Sequence, residues 1–329
     1  MEKKCPLRSW VMLMLNNSEF ECLDDVYLYL LKSLITTGEI VSPRGEPTRE
    51  KLVVSFKIAD PRRRYISIPS RRWSLVYALA ELSWHLRGGT SVDDISWYAP
   101  FWKTVVPQNS QIIESAYGFK IFGRSEGQNS QWEMVKDLLI VDPGSRRAVL
   151  YFGSQDISGA IGALDYSCTL SLQFFIRGDK LHAHCVMRSN DIMLGLPYDI
   201  FLFTVLQELM ATSLGVGLGC YYHSIGSLHL YDRDLESAER IVKDSPSVVE
   251  PMPEIKGFFG VEILHEIEIK SKFSGYISEN QDLSHSNAFW WQASKILESA
   301  NHARLHKKPY KISGGYIAPV LIDLAELRS

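Results

Sequence analysis

The stretch Asp165–Asp199, DYSCTLSLQFFIRGDKLHAHCVMRSNDIMLGLPYD, contains two runs in which every second residue is apolar. Leu170, Leu172, Phe174 and Ile176 form the first run, and Leu181, Ala183, Cys185 and Met187 the second. Successive side chains of a strand point to opposite faces, so each run reads as a strand with one buried side. Between them Arg177-Gly178-Asp179-Lys180 supplies a turn, and the pair reads as a β-hairpin. Cys168 and the polar run Arg188-Ser189-Asn190-Asp191 are therefore expected at the same end of paired strands. A thiol beside a guanidinium is chemically suggestive, because a free cysteine has a pKa of about 8.5 and a nearby cation favours the nucleophilic thiolate. A lone cysteine is more often a small buried hydrophobe, so its surroundings decide.

Elsewhere the chain alternates helical and strand patterns. Ser18 and Glu21 have capping-box spacing ahead of Leu23, Val26, Tyr27, Leu30, Leu31 and Leu34, which predicts an amphipathic helix closed by Gly38. A Gly/Pro loop carrying Arg44 and Arg49 leads into a strand at Leu52–Ile58, and a helical period spans Trp73–Leu86 up to Gly88-Gly89. Glu81 is the misfit of that helix: a carboxylate within SLVYALAELSWHL needs a partner or a proton, and a carboxyl group of raised pKa can handle protons. An aromatic segment with Trp97, Tyr98, Phe101 and Trp102 follows, then Tyr117-Gly118, then a helix capped by Ser130 and Glu133. Such aromatic clusters usually form core, although flat ligands also stack on them. Ser145-Arg146-Arg147 precedes the strand-like Ala148–Phe152, where neighbouring arginines point to opposite faces and at least one reaches past its own sheet. Ile200–Leu214 reads as an apolar helix ended by Gly215, and Cys220–Tyr231 as a strand presenting His229 and Tyr231 on one face, a pair suited to sugar hydroxyls. Strands near Ile263–Ile269, a helix near Ala288–Ala300 and the terminal Ala318-Pro319-Val320 complete the reading.

Composition narrows the function. With 329 residues and 46% hydrophobic content the chain can bury a sizeable core. A net charge of −3 provides no broad basic field, which argues against nucleic acid as a partner and leaves room for a small phosphorylated ligand. Five cysteines, at 5, 22, 168, 185 and 220, form no CxxC pair and are odd in number, so neither a disulfide framework nor a zinc site is expected. No stretch is long and apolar enough for a secretory leader or a membrane span, and a cytoplasmic protein without metal is the expectation. No repeat or linker marks a boundary, so residues 1–329 are read as one domain.

In order and spacing, these motifs resemble the thymidylate synthase superfamily over nearly the whole chain. The resemblance rests on Arg44, Glu81-Leu82-Ser83-Trp84, Ser145-Arg146-Arg147, Cys168, Arg188-Ser189-Asn190-Asp191, Gly195-Leu196-Pro197, Gly226-Ser227-Leu228-His229-Leu230-Tyr231 and Ala318-Pro319-Val320. Two departures matter. Thymidylate synthases carry Pro-Cys-His where this chain has Ser167-Cys168-Thr169, and an asparagine that reads uracil where this chain has Asp199. An aspartate can accept from the cytosine amino group and, when protonated, donate to N3. The chain therefore looks like the pyrimidine nucleotide hydroxymethylase branch, which includes phage deoxycytidylate enzymes and cytidylate enzymes of nucleoside-antibiotic biosynthesis.

The resemblance implies an α+β fold with a large mixed β-sheet flanked by helices, an extension over 1–17, and a closure segment with its tail over 318–329. It implies Cys168, Glu81 and Asp199 as catalytic residues. Arg44, Arg146, Arg147, Arg188 and Ser189 would bind phosphate, Arg146 and Arg147 across a homodimer interface, and His229 and Tyr231 the sugar. Asp191 and Trp102 would contact folate, with Tyr117 and Thr169 completing the site. The implied reaction is 5-hydroxymethylation of CMP, and of dCMP as well, with methylenetetrahydrofolate as cofactor. Three alternatives stay open: dCMP as main substrate, a thymidylate synthase acting on dUMP, and a catalytically silent nucleotide- or RNA-binding relative.

Overall fold

The structure, a computed structural model, describes residues 18–107, 110–124, 127–153, 158, 161–248, 250–274, 288–307 and 320–322. The expected extension 1–17 and most of the segment 318–329 lie outside the described residues. In chain order the elements are β1 (Ser18–Phe20), α1 (Leu23–Thr37), β2 (Glu39–Val41), β3 (Thr48–Ile58), α2 (Leu75–Leu86), α3 (Val92–Ser96), α4 (Tyr117–Phe122), α5 (Gln131–Val141) and β4 (Val149–Tyr151). They continue with β5 (Thr169–Arg177), β6 (Lys180–Asp191), α6 (Gly195–Leu214), β7 (Gly217–Tyr231), α7 (Leu235–Ile241), α8 (Val261–Ser274) and α9 (Ala288–His306). The strands form one mixed sheet in the order β1-β3-β7-β6-β5-β4, with β2 paired to β3. Helices flank it, and the architecture is the α+β fold expected.

The hairpin forms because alternation and turn chemistry agree. Arg177 pairs with Lys180 across a tip in which both Gly178 (φ 55°) and Asp179 (φ 57°) are left-handed, the mirror-image turn that matches strand twist. β6 then runs parallel to β7 and places Asp191 opposite His229. Leu172, Phe174, Leu181, Ala183, Cys185 and Met187 are all buried, and α6, which packs on β6 and β7, is itself buried along most of its length. Gln207 of that helix donates to the carbonyls of Leu181, Gly219 and Cys220, bridging it to the strands where the register between β6 and β7 shifts. Arg64 and Glu208 form a buried ion pair, and Glu208 also accepts from the Ile255 N–H at 3.1 Å.

Several expectations are corrected. Ser18 begins a strand, pairing parallel with Phe56, so it cannot cap α1, whose N-cap is Cys22, with no side-chain bond to the helix backbone. The segment 263–269 is helical, within α8, because Val261, Leu264, Ile267 and Ser271 are buried at helical spacing. Arg146 and Arg147 lie in the loop before β4, not at its first residues. Leu170 is 41% exposed while Thr169 is buried, since the register slips between Thr169 and Ser171 and a bulge exchanges their faces.

Candidate active site

At the open end of the hairpin the Arg188 N–H donates to the Cys168 carbonyl at 2.9 Å. The Arg188 guanidinium is tied to backbone: Nε donates to the Ser167 carbonyl at 2.9 Å and Nη2 to the Tyr166 carbonyl at 3.0 Å. It also lies over the Tyr166 ring and brings Nη2 to 3.6 Å from the Cys168 Sγ. The thiol and cation thus meet as expected, but the balance differs from the simple electrostatic picture. Burial pushes the Cys168 thiol up, Arg188 and the more distant Arg44 pull it down, and Asp199 and Asp165 add to the rise. Desolvation wins, so the resting sulfur carries its proton.

Two carboxyl groups face this region. Glu81, on α2, is buried, and its Oε1 accepts from the Tyr77 hydroxyl at 2.6 Å. Burial raises its pKa to about 8, the Tyr77 bond pulls it down, and the charge of Asp199 pushes it up. Asp199, the fifth residue of α6, is raised to about 7 by burial, against a hydrogen bond from Asn190 Nδ2 to Oδ2 of 2.8 Å. The elements carrying the acids are locked by aromatic packing. Tyr198 stacks on Trp73 at 5.9 Å, meets Tyr77 edge-on at 4.7 Å, and accepts from the Ser74 N–H.

Tyr117 opens α4 and is packed among His85, Phe152 and Phe203. Its phenol is held well above the ordinary value by burial, and the charges of Asp199 and Cys168 act on it along with the Thr169 hydroxyl. The next residue must be glycine: a Cβ on Gly118 would stand 1.9 Å from the His85 carbonyl oxygen. This close approach lets the Gly118 N–H donate to His85 Nδ1 at 3.1 Å, an acceptor that burial keeps neutral at a pKa of about 3.

On the facing edge of β6 and β7, Ser189 Oγ lies 3.4 Å from His229 Nδ1, and the His229 ring meets Tyr231 edge-on at 5.2 Å. Arg233 covers Tyr231 at 4.0 Å. Asp191 Oδ1 accepts from the N–H groups of Met193 (2.7 Å) and Leu194 (3.2 Å), a turn that leads into α6. Arg44 is exposed on the turn before β3, in a left-handed conformation with φ 55°.

The thymidylate synthase family model matches residues 25–274. The chain belongs to the thymidylate synthase family. Similar proteins include a deoxyuridylate hydroxymethyltransferase of Bacillus phage SP01, 28% identical over 218 residues, which are 63% of this chain and 56% of that protein. Thymidylate synthase 1 of Bacillus subtilis strain 168 is 26% identical over 224 residues, 65% of this chain and 79% of the relative. A thymidylate synthase of Bacillus subtilis subsp. natto is 30% identical over 164 residues, 47% of this chain and 58% of that protein. The chain thus spans little more than half the length of the phage and natto relatives. Enzymes of the thymidylate synthase family use methylenetetrahydrofolate. Among the described residues no helix is long and apolar enough to cross a membrane, and no group of His, Cys, Asp and Glu is placed to hold a metal ion.

For a thymidylate synthase family chain, the structure adds residues that sequence reasoning left without a role. Asn190 was part of a motif but is the hydrogen-bond donor to Asp199. Tyr77 stands one turn before Glu81 on the same helix, a spacing that could have found it. Trp102 was placed toward folate, yet its indole N–H is engaged by the Tyr77 hydroxyl at 2.9 Å. Arg146 and Arg147 are exposed; among the described residues Arg147 meets Asp142 at 3.7 Å, and the Arg146 carbonyl accepts from Gln173 on β5.

Proposed function

We propose that this chain transfers a hydroxymethyl group to C5 of a cytosine nucleotide, CMP and also dCMP, from methylenetetrahydrofolate and water, releasing tetrahydrofolate. The observation that carries this reading is the Asp199 carboxyl, raised to about 7 and therefore substantially protonated near neutral pH. A neutral carboxyl donates through its O–H to cytosine N3 and accepts from the exocyclic amino group through its C=O. Cys168 attacks C6, and the electron pair displaced toward N3 is stabilised by the Asp199 proton. The attack needs the thiolate, so a proton must leave the buried sulfur, and Arg188 at 3.6 Å supports the resulting charge. Glu81, poised at about 8, orders water and moves a proton.

The residues present fit a folate. Asp191 engages its Oδ1 with backbone N–H groups, so Oδ2 remains available as an acceptor, and Trp102 offers its ring with the N–H already committed. When bound, methylenetetrahydrofolate supplies the one-carbon unit. Arg44, Arg188 and Ser189 bind the nucleotide phosphate, joined by Arg146 and Arg147 across the interface of a homodimer. The exposure of both arginines supports that role. His229 and Tyr231 take the sugar hydroxyls.

A second reading, hydroxymethylation of dUMP, is favoured by the named activity of the phage relative. A neutral Asp199 with its oxygens exchanged would present C=O to uracil N3–H and O–H to O4. Turnover with methylenetetrahydrofolate and CMP, dCMP or dUMP, read by product mass together with dihydrofolate absorbance, separates the readings. Hydroxymethylated cytosine nucleotide without dihydrofolate is expected. Hydroxymethyl-dUMP would move the assignment to the phage-type reaction, methylated dUMP with dihydrofolate would make the chain a synthase, and no turnover at all would favour a binding protein.

A further inference from the structure

Glu81 does not meet the site as an isolated acid. Its Oε1 accepts from Tyr77 at 2.6 Å, and the Tyr77 oxygen accepts from Trp102 Nε1 at 2.9 Å. The direction of this relay is fixed by chemistry. An indole nitrogen can only donate, so the phenol oxygen must accept from Trp102, and its single proton is left for Glu81. With the phenol proton directed at Glu81, Oε1 is the accepting oxygen of the carboxyl group. We propose that Tyr77 is a positioning residue of the active site, whose phenol, oriented by Trp102, occupies Oε1 of Glu81 so that the exchangeable proton is carried on Oε2. This rests on the reading of Glu81 as the group that moves a proton in the reaction.

The surroundings are consistent with such a role. The Tyr77 ring is pinned edge-on against Tyr198, the neighbour of Asp199, so the relay and the second acid share one aromatic wedge. The titratable groups acting on Glu81 are Tyr77 from its own helix and Asp199 from α6, and Trp102 adds a donor that does not titrate. Of these, Tyr77 favours the carboxylate and Asp199 opposes it. Removing the phenol hydroxyl therefore raises the pKa of Glu81 and lets the proton reside on either oxygen.

The test is Tyr77→Phe, which keeps the ring against Tyr198, with Trp102→Phe as a second variant. The Glu81 carboxyl is titrated in the resting protein by infrared difference spectroscopy after carbon-13 labelling of glutamate, its band identified by loss in Glu81→Gln. Tyr77→Phe is expected to move the midpoint up by about one pH unit, and Trp102→Phe to move it the same way by less. The limb of the kcat profile governed by Glu81 should move in parallel, with kcat about 10-fold lower and nucleotide KM within about 2-fold of wild type. An unmoved midpoint in Tyr77→Phe, or a loss of kcat with the pH profile in place, would show that Tyr77 only packs and would overturn the proposal. The titration needs no substrate, so a wild type that turns over dUMP in place of CMP would sink the substrate assignment while leaving this result to stand or fall separately.

Discussion

Replacing Asp199 by asparagine should make the protein more stable at high pH and, on the proposed function, abolish turnover of cytosine nucleotides. Asp199 titrates near 7 in the folded protein against an ordinary 3.8, because burial penalises its charge. The folded value lies above the unfolded one, so between about pH 4 and pH 7 the unfolded chain has released a proton that the native state keeps. Stability then falls by about 1.4 kcal/mol per pH unit across that window and levels off above it, for a total of roughly 4 kcal/mol. Asparagine escapes this loss. Its side-chain oxygen can still accept from Asn190 Nδ2, the bond that Asp199 makes at 2.8 Å, and the amide never ionises. Glu81 reinforces the trend, since Asp199 is one of the charges that raise it. Urea unfolding of both proteins at a series of pH values should give a difference that grows in favour of Asp199→Asn from about pH 4 to about pH 8, with similar m-values. A difference constant across that range would show that Asp199 is not a desolvated acid, and the account of base reading would fall with it.

Arg188→Lys should slow alkylation of Cys168 at fixed pH several-fold, because a guanidinium anchored by carbonyls at 2.9 and 3.0 Å is replaced by a point charge that cannot make the same fork; an unchanged rate would mean that Arg188 does not tune the thiol. Glu208→Gln leaves the buried Arg64 without its counter-charge and should destabilise the fold by about 3–5 kcal/mol in urea unfolding. A loss under about 1 kcal/mol would show the pair to be solvated. Mixing Arg147→Ala subunits with Cys168→Ala subunits, each inactive alone, should restore about a quarter of wild-type turnover through hybrid dimers that keep one complete site. No recovery would place Arg147 outside the site of a neighbouring subunit.

Where local chemistry and tertiary contacts agree, the fold was legible. The alternation around Gly178-Asp179 foretold β5 and β6, and Ser130 with Glu133 does form a capping box. Failures arose where a local pattern had a competitor. Ile267 and Ile269 alternate like a strand, but Ile269 is 41% exposed and the buried positions Val261, Leu264 and Ile267 follow the helix. Ser18 and Glu21 satisfy a cap motif, yet Ser18 is drawn to the sheet edge beside Phe56. The candidate site divides in the same way. Cys168 and Arg188 were placed together by one hairpin, whereas the Asn190 bond to Asp199 and the Trp102 bond to Tyr77 depend on how separate elements pack. The rise in the Cys168 pKa was equally hidden, because sequence shows a neighbouring cation and not the depth at which the sulfur lies.

The slip in the ladder between Thr169 and Ser171 has an evolutionary reading. In a regular strand the side chain after Cys168 would fall on the face opposite Leu172 and Phe174. The bulge turns Thr169 inward with them: all three are buried, and Thr169 reaches toward Tyr117. The residue next to the thiol is thereby made part of the interior, so any exchange of side chain there is felt both by Tyr117 and by the packing around it. Such a position couples the chemistry around Cys168 to the shape of the core that carries it.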